Sequence, residues 1–275
     1  MSAYDRFPKT ALSHSQLAEL RRCPKAHKLK YRQGLMRKGP PGKALEIGTL
    51  FHRVLETVGE QARWGETAVS DWDAALRNAN HGVSDPSAMI EATRLIGAYR
   101  LHYGSGNAGY GDSEILAVEE VLETPDLHRD AGGFAAIADA VVREYDGTLA
   151  IYEHKTAGRC PDDDEETRRE LKTGSQAGAL AYCARAVYKE LPVVIRNVAA
   201  KTRVVGLQRV RLVFTDAELD RWAQEQEELV EQMLPLSCAN RDACSPPLGF
   251  KCNYFEFCHG TDDERADLYE ARKRR

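Results

Sequence analysis

The stretch AIADAVVREYDGTLAIYEHKTA, residues 136–157, decides the fold, because it contains two strand-like segments joined by a short turn. Side chains alternate between the two faces of a strand, so every second residue shares a face. In the second segment one face changes from apolar to charged within two steps. Its members in order are Leu149, Ile151, Glu153 and Lys155. The first segment places Asp139 on an otherwise apolar face, so both segments carry charges that require a reason.

The turn between the two segments decides whether Asp139 and Glu153 meet. Asp146-Gly147 is a strong hairpin signal. If these two residues alone formed the loop, Asp139 would lie opposite His154, and Glu153 would point to the other face.

A three-residue loop over residues 145–147 gives the other register. With Gly147 in the left-handed conformation of a β-bulge, Glu144 pairs with Thr148 and Asp139 lies directly opposite Glu153. We predict this register. Directly opposed residues have Cβ atoms about 5 Å apart, and like charges there are destabilising unless a cation lies between them. The sequence therefore predicts a divalent cation shared by two carboxylates.

Length and composition describe an ordinary globular chain. Its 275 residues suit one large domain or two small ones, and 38 basic against 42 acidic residues give a net charge of -4. Without a phosphate-binding loop of the G-x-x-x-x-G-K-[ST] type, a nucleotide-driven motor is not expected. No long apolar run predicts a membrane span, and the N-terminus lacks the apolar core of a signal peptide, so we expect a cytoplasmic protein.

The order of elements predicts a mixed α/β fold. A helix over residues 47–63 has one buried stripe, and His52 lies off that stripe, where it is free to face a cleft. Strand-like and helical segments then alternate, which indicates a mixed sheet covered by helices on both faces. The predicted strands span residues 115–122, 134–144, 148–155, 193–199 and 209–214.

We expect a single domain over residues 1–275, in five parts. These are N-terminal helices (11–45), the helix that bears His52 (46–63), a helical insertion (64–112), an α/β core (113–235) and a cysteine-rich C-terminal segment (236–275). The first part carries nine Lys or Arg between Arg21 and Lys43 and no acidic residue. Such a basic patch is a candidate track for a phosphodiester backbone.

Seven cysteines in a reducing compartment are unlikely to form disulfides, and their clustering indicates a metal. The residues concerned are Cys23, Cys238, Cys244, Cys252 and Cys258. The last four alone could form a tetrahedral zinc site, although their spacings lack the C-x-x-C pairs usual in zinc ribbons.

The sequence resembles the PD-(D/E)XK nuclease superfamily, in the RecB-like branch that includes CRISPR-adaptation and phage exonucleases. The matching pieces are LSHSQLAELRRCPKAHKLKY, GTLFH (48–52), AIADAV, YEHKTA and the final cysteines. The resemblance implies a restriction-endonuclease-like fold and a metal-dependent DNA exonuclease that acts on ends or single strands, alone or with a helicase or recombination partner.

The resemblance also implies roles for individual residues. Asp139, Glu153, the His52 imidazole and the His154 backbone carbonyl would be ligands of Mg²⁺ or Mn²⁺. Lys155 would orient the attacking water, and Gln176 would help Lys155 or contact a DNA phosphate.

For the cysteines, the resemblance implies a [4Fe-4S] cluster that joins the N-terminal and C-terminal segments. Its ligands would be Cys23, which precedes a proline, and Cys244, Cys252 and Cys258. Two other functions stay open at this point, a module that binds or loads DNA without cutting it and a structure-specific endonuclease.

Overall fold

The computed structural model describes residues 11–64, 71–79, 83, 85–104, 107–125, 132–162, 164–236, 240, 244 and 252–271. The helices are α1 (His14–Arg22), α2 (Pro24–His27), α3 (Lys43–Arg63), α4 (Trp72–Ala79), α5 (Pro86–Tyr103), α6 (Glu165–Thr173), α7 (Ser175–Tyr188), α8 (Asp216–Met233), α9 (Phe255–His259) and α10 (Asp262–Leu268). The strands are β1 (Leu35–Arg37), β2 (Glu114–Glu123), β3 (Ala135–Arg143), β4 (Leu149–Ala157), β5 (Val193–Ala200), β6 (Gly206–Val213) and β7 (Tyr269–Ala271).

A five-stranded sheet in the order β2-β3-β4-β5-β6 forms the centre of the fold. β4 and β5 run parallel, and the other neighbouring strands run antiparallel. A parallel pair requires a crossover, and here the chain from β4 to β5 passes through α6 and α7. The predicted mixed sheet flanked by helices is therefore confirmed.

The hairpin between β3 and β4 has the predicted three-residue register. Arg143 pairs with Leu149, and the Glu144 N–H donates to the Thr148 carbonyl at 2.9 Å. Gly147 has φ +87°, the left-handed conformation that a glycine adopts without steric cost. The paired residues of the two strands extend as far as Ala140 and Tyr152, and Asp139 and Glu153 are the next residues along their strands.

Helices cover both faces of the sheet. On one face, α1, α7 and α8 bury a core with Leu17, Leu180 and Leu219. On the other face, α3 and the helical insertion bury Phe51, Trp72 and other apolar side chains. The predicted helical insertion contains α4 and α5, and α5 begins at Pro86 after an Asp85 cap. Among the described residues, no helix combines the length and apolar character that a membrane crossing requires.

The two ends of the chain are joined by backbone pairing. β1 and β7 form a separate two-stranded antiparallel sheet, in which Met36 pairs with Glu270. The Tyr254 hydroxyl also donates to the Leu35 carbonyl at 2.8 Å. A small apolar core beneath this sheet includes Cys23 and Cys252. The N-terminal helices and the C-terminal segment are therefore in contact through protein groups alone.

Candidate active site

Asp139 lies at the centre of the candidate site, near the middle of β3. One carboxylate oxygen is 3.2 Å from His52 Nδ1, and the other accepts the His154 backbone N–H at 2.5 Å. Burial favours the neutral acid. The charge and hydrogen bond of His52, together with the His154 contacts, outweigh that effect and lower the pKa of Asp139 to about 2. Asp139 is therefore an anion at neutral pH.

His52 reaches this carboxylate from α3, on the opposite side of the sheet from α7. Its side chain is 31 % exposed, so the sequence-based expectation that it leaves the buried stripe is confirmed. Burial opposes the charged imidazole, but the nearby Asp139 carboxylate outweighs it and raises the pKa of His52. His52 and Asp139 therefore form an acid–base pair. The His52 nitrogen and the Asp139 oxygen that face each other could hold either a proton or a metal ion between them.

Glu119, on β2, is a third side chain that the sequence analysis missed. Val118 pairs with Ala140 and Glu120 with Ala138, so Glu119 lies opposite Asp139. Its backbone has φ +49°, a left-handed conformation that costs a residue other than glycine about 1 kcal/mol or more. One ligand atom from each of His52, Glu119 and Asp139 lies within 4.8 Å of the others.

Glu153 lies outside the group of His52, Glu119 and Asp139 and is held differently. The residue is only 2 % exposed, and two cations contact its carboxylate, Lys155 Nζ at 3.1 Å and Arg196 Nε at 2.7 Å. Arg196 pairs directly with Glu153 across the parallel ladder. Although Lys155 is near, Oε1 of Glu153 is buried and makes no hydrogen bond. A buried carboxylate oxygen without a hydrogen bond is costly, and a bound cation would satisfy it.

His154 contributes its backbone to the site and turns its side chain away from it. The imidazole is 1 % exposed and contacts the Tyr110 hydroxyl at 3.1 Å and Asn197 Nδ2 at 2.9 Å. Burial lowers the pKa of His154 to about 3, so the ring is neutral. In a strand, the N–H and C=O of one residue face the same neighbour, and the N–H here binds Asp139. The His154 carbonyl therefore faces the same side, as its predicted role as a metal ligand requires.

These donors fit a hard divalent cation. Carboxylate and carbonyl oxygens suit Mg²⁺ and Mn²⁺, and an imidazole nitrogen is acceptable to Mn²⁺. Glu119 and Asp139 lie close together, a condition that costs repulsion energy unless positive charge is added.

Three further side chains are candidates for the site. Lys155 is 37 % exposed and can reach a ligand in solvent. Gln176 is half-buried in the first turn of α7. His14, in the first turn of α1, lies near both cations. Burial and the charges of Lys155 and Arg196 lower its pKa to about 4.

The cysteines of the proposed cluster converge at the junction of the chain ends. The pKa of Cys244 is raised by burial and by the nearby charges of Cys252, Cys258 and Cys23, so the four thiols form one electrostatic group. Their sulfur atoms also accept N–H groups. The Asn240 N–H lies 3.4 Å from Cys23 Sγ.

The distance between the cysteine sulfur atoms distinguishes a zinc site from an iron-sulfur cluster. Sulfur atoms around one zinc ion lie about 3.8 Å apart, because each Zn–S bond is about 2.3 Å long. In the described part of the chain, no three thiols bring their sulfurs within 4.8 Å of one another. Cys238, which the zinc alternative requires, lies outside the described residues. Cys183, on α7, is a fully buried thiol that packs in the core.

The mixed five-stranded sheet carries acids at the centre of β3 and β4, a lysine two residues further along β4 and helices on both faces, and this is the framework of a nuclease. The PD-(D/E)XK nuclease superfamily model matches residues 11–259. The chain therefore belongs to this superfamily, whose members are phosphodiester hydrolases that generally use divalent metals.

Solved structures agree with this fold. A crystal structure from Eubacterium rectale, described as a "putative exonuclease", has a TM-score of 0.52 at 12% identity, and the match covers 82% of this chain and 80% of that one. A second structure, of a protein called SSO0001, has a TM-score of 0.30 at 16% identity, covers 65% of this chain and 74% of that chain, and carries no weight here. A search of curated proteins finds no significant match.

Two site residues had weak signals in the sequence. Glu119 and Glu120 are adjacent acids inside an otherwise apolar strand, and Arg196 is the single charge in VVIRNVAA. Glu119 and Arg196 are site candidates for the same reason as Asp139, because each is a charged residue within a largely apolar strand. The pairings that bring them to the site depend on partners far away in the sequence.

Proposed function

We propose that this nuclease is a divalent-metal-dependent deoxyribonuclease, and most specifically an exonuclease that acts on DNA ends or single strands. One observation carries the proposal. His52, Glu119 and Asp139 converge within 4.8 Å beside the buried Glu153 and the partly exposed Lys155. This arrangement combines ligands for a hard cation with a nearby ammonium that can reach a phosphate.

When bound, Mg²⁺ or Mn²⁺ would polarise the phosphoryl oxygens and lower the pKa of a coordinated water. The proposed ligands are the His52 ring, the carboxylates of Glu119, Asp139 and Glu153, and the His154 carbonyl. Lys155 would donate a hydrogen bond to the attacking water or to the phosphate, and Gln176 would support Lys155 or hold a phosphate. A water oxygen would add to phosphorus, and a bond to a sugar oxygen would break, with a proton passing to that oxygen.

We further propose that Cys23, Cys244, Cys252 and Cys258 hold a [4Fe-4S] cluster with a structural role. No three described thiols bring their sulfurs within 4.8 Å of one another, and N–H donors lie near the sulfurs of Cys23 and Cys252, which supports this assignment over a closed zinc tetrahedron. The cluster would reinforce the junction that β1 and β7 already form. A helicase or recombination partner is part of the same proposal and follows from the family resemblance alone.

Cleavage of labelled DNA by the purified protein tests the proposal. Linear single strands, linear duplexes and closed circles are incubated with Mg²⁺, with Mn²⁺ and with EDTA. We expect nucleotides to be released from linear DNA only with a metal, and Asp139→Asn and Lys155→Ala to lose more than 99% of the rate. Asp220→Asn is the matched control, since Asp220 pairs with Arg185 on the surface. Cutting of closed circles would indicate an endonuclease, and DNA binding without cleavage in any metal would refute the nuclease assignment.

A further inference from the structure

We propose that Arg196 is a phosphate-binding residue, whose Nε holds Glu153 while its two terminal nitrogens bind the DNA backbone beside the cleaved bond. This inference rests on the proposed function and adds to it a specific contact with the substrate. Arg196 would be a residue that touches substrate, in addition to the metal ligands and Lys155.

The position of Arg196 fits this role. The residue lies on β5, directly opposite Glu153 on β4, and its side chain is only 18 % exposed. It is the single charged residue of its strand, VVIRNVAA. A guanidinium in such surroundings requires compensating interactions, because loss of hydration is costly.

The hydrogen bonds of Arg196 are incomplete. Its Nε donates to Glu153 Oε2 at 2.7 Å, and it makes no other hydrogen bond to the residues that the structure describes. Neither terminal nitrogen is among the described buried atoms that lack a hydrogen-bond partner. The four N–H groups of the terminal nitrogens form a rigid planar fork, which has the geometry that binds two phosphate oxygens at once.

The side chains in contact with Glu153 also carry more positive charge than is needed to neutralise it. Glu153 supplies one negative charge, whereas Lys155 and Arg196 supply two positive charges within contact distance. His14, the titratable group that faces them from α1, is neutral at pH 7, since its pKa is about 4. The surplus of one positive charge matches the single negative charge of a phosphodiester.

A lysine could neutralise Glu153 equally well, and Lys155 already does so in part. A second cation on the neighbouring strand is therefore redundant for holding the carboxylate. Arg196 has a use when a substrate phosphate must be fixed relative to Glu153, because its side chain can then contact both the phosphate and the Glu153 carboxylate.

The test measures DNA binding in EDTA, where neither metal nor cleavage contributes. A fluorescein-labelled single-stranded oligonucleotide is titrated with Glu153→Gln and with Glu153→Gln/Arg196→Gln at several salt concentrations. In the Glu153→Gln background Arg196 has no carboxylate to hold, so any loss of affinity reports the phosphate contact. We expect about tenfold weaker binding and a salt slope smaller by about 0.7, the value for one phosphate contact on a single strand.

Two controls keep this result specific. Arg211→Gln removes an arginine of β6 that pairs with Glu144, the residue after β3, and we expect its binding to equal that of the wild type. Arg196→Lys retains the charge and the fold, so we expect an unchanged salt slope with affinity between those of wild type and Arg196→Gln. Equal affinity and equal slope for the two Glu153→Gln proteins, with both folded by thermal melting, would overturn the assignment.

The same data separate this inference from the proposed function. Wild-type protein that cleaves DNA, combined with no effect of Arg196→Gln on binding, leaves the nuclease assignment intact and refutes the role of Arg196. Wild-type protein that cleaves nothing in any metal, but binds DNA through Arg196, refutes the nuclease assignment and supports the phosphate contact.

Discussion

Replacement of Glu119 by glycine should make the metal-free protein more stable and at the same time weaken its metal binding. Glu119 has φ +49°, which is strained for glutamate and free of strain for glycine. Relief of that strain should raise the free energy of unfolding by about 1 kcal/mol, and removal of a negative charge near Asp139 should raise it further. The flexibility of glycine in the unfolded chain should lower it by about 0.5 to 1 kcal/mol. We expect a net gain of about 1 kcal/mol in the free energy of unfolding, or about 2 to 4 °C in Tm.

The assay is thermal unfolding in EDTA and in Mn²⁺. A ligand that binds only the folded protein raises its stability by RT ln(1 + [L]/Kd), so tenfold weaker binding loses about 1.4 kcal/mol of that gain at saturation. Glu119→Gly should therefore melt above the wild type in EDTA and gain less from Mn²⁺. Glu119→Gln should lose the metal effect without the full gain in stability, because it keeps the strained backbone.

Glu120→Gly is the matched control for this experiment. Glu120 is the next residue of the same strand, but its φ is not positive, so glycine relieves no strain there. We expect this variant to lose about 0.5 to 1 kcal/mol and to respond fully to Mn²⁺. The reasoning is refuted if Glu119→Gly is less stable than the wild type in EDTA, or if its response to Mn²⁺ is undiminished.

Three other predictions concern the His154 side chain, Cys23 and Gly178. The unfolded chain protonates His154 below pH 6.5 while the folded chain excludes the proton until about pH 3, so stability falls as the pH drops through that window. His154→Gln should reduce the slope of the free energy of unfolding against pH by up to about 1.4 kcal/mol per pH unit. Urea unfolding at pH 7, 6 and 5 measures this slope, and equal slopes for the wild type and the variant would contradict the prediction. Cys23→Ala should abolish the visible absorbance of anaerobically purified protein, while Cys183→Ala leaves it unchanged; an unaltered spectrum in the first variant would exclude Cys23 as a cluster ligand. Gly178→Ala should lower Tm markedly, because its new Cβ would lie 2.4 Å from Trp222, and an unchanged Tm would show that the helix can shift freely.

The hairpin could be predicted from the sequence because its determinants are local. Asp146 and Gly147 identify the turn, and the requirement that Asp139 meets Glu153 selects between two registers. One glycine in the left-handed conformation then fixes the pairing of both strands. Short-range rules of turn geometry were sufficient for this part of the site.

Glu119 and Arg196 could not be placed in the same way. Glu119 meets Asp139 only because β2 pairs with β3 in a register set by a bulge near Ile115 and Ala117. Arg196 meets Glu153 through a parallel pairing that follows two intervening helices. Neither register has a turn that specifies it, so the tertiary packing decides both.

The location of a bound metal ion tests the central claim most directly. Anomalous scattering from a crystal soaked in Mn²⁺ should give its strongest peak about 2.1 Å from an Asp139 carboxylate oxygen, with His52, Glu119 or Glu153 as neighbouring ligands. The peak should vanish in Asp139→Asn. A strongest peak elsewhere in the molecule, or none at all in a protein that cleaves DNA, would contradict the account.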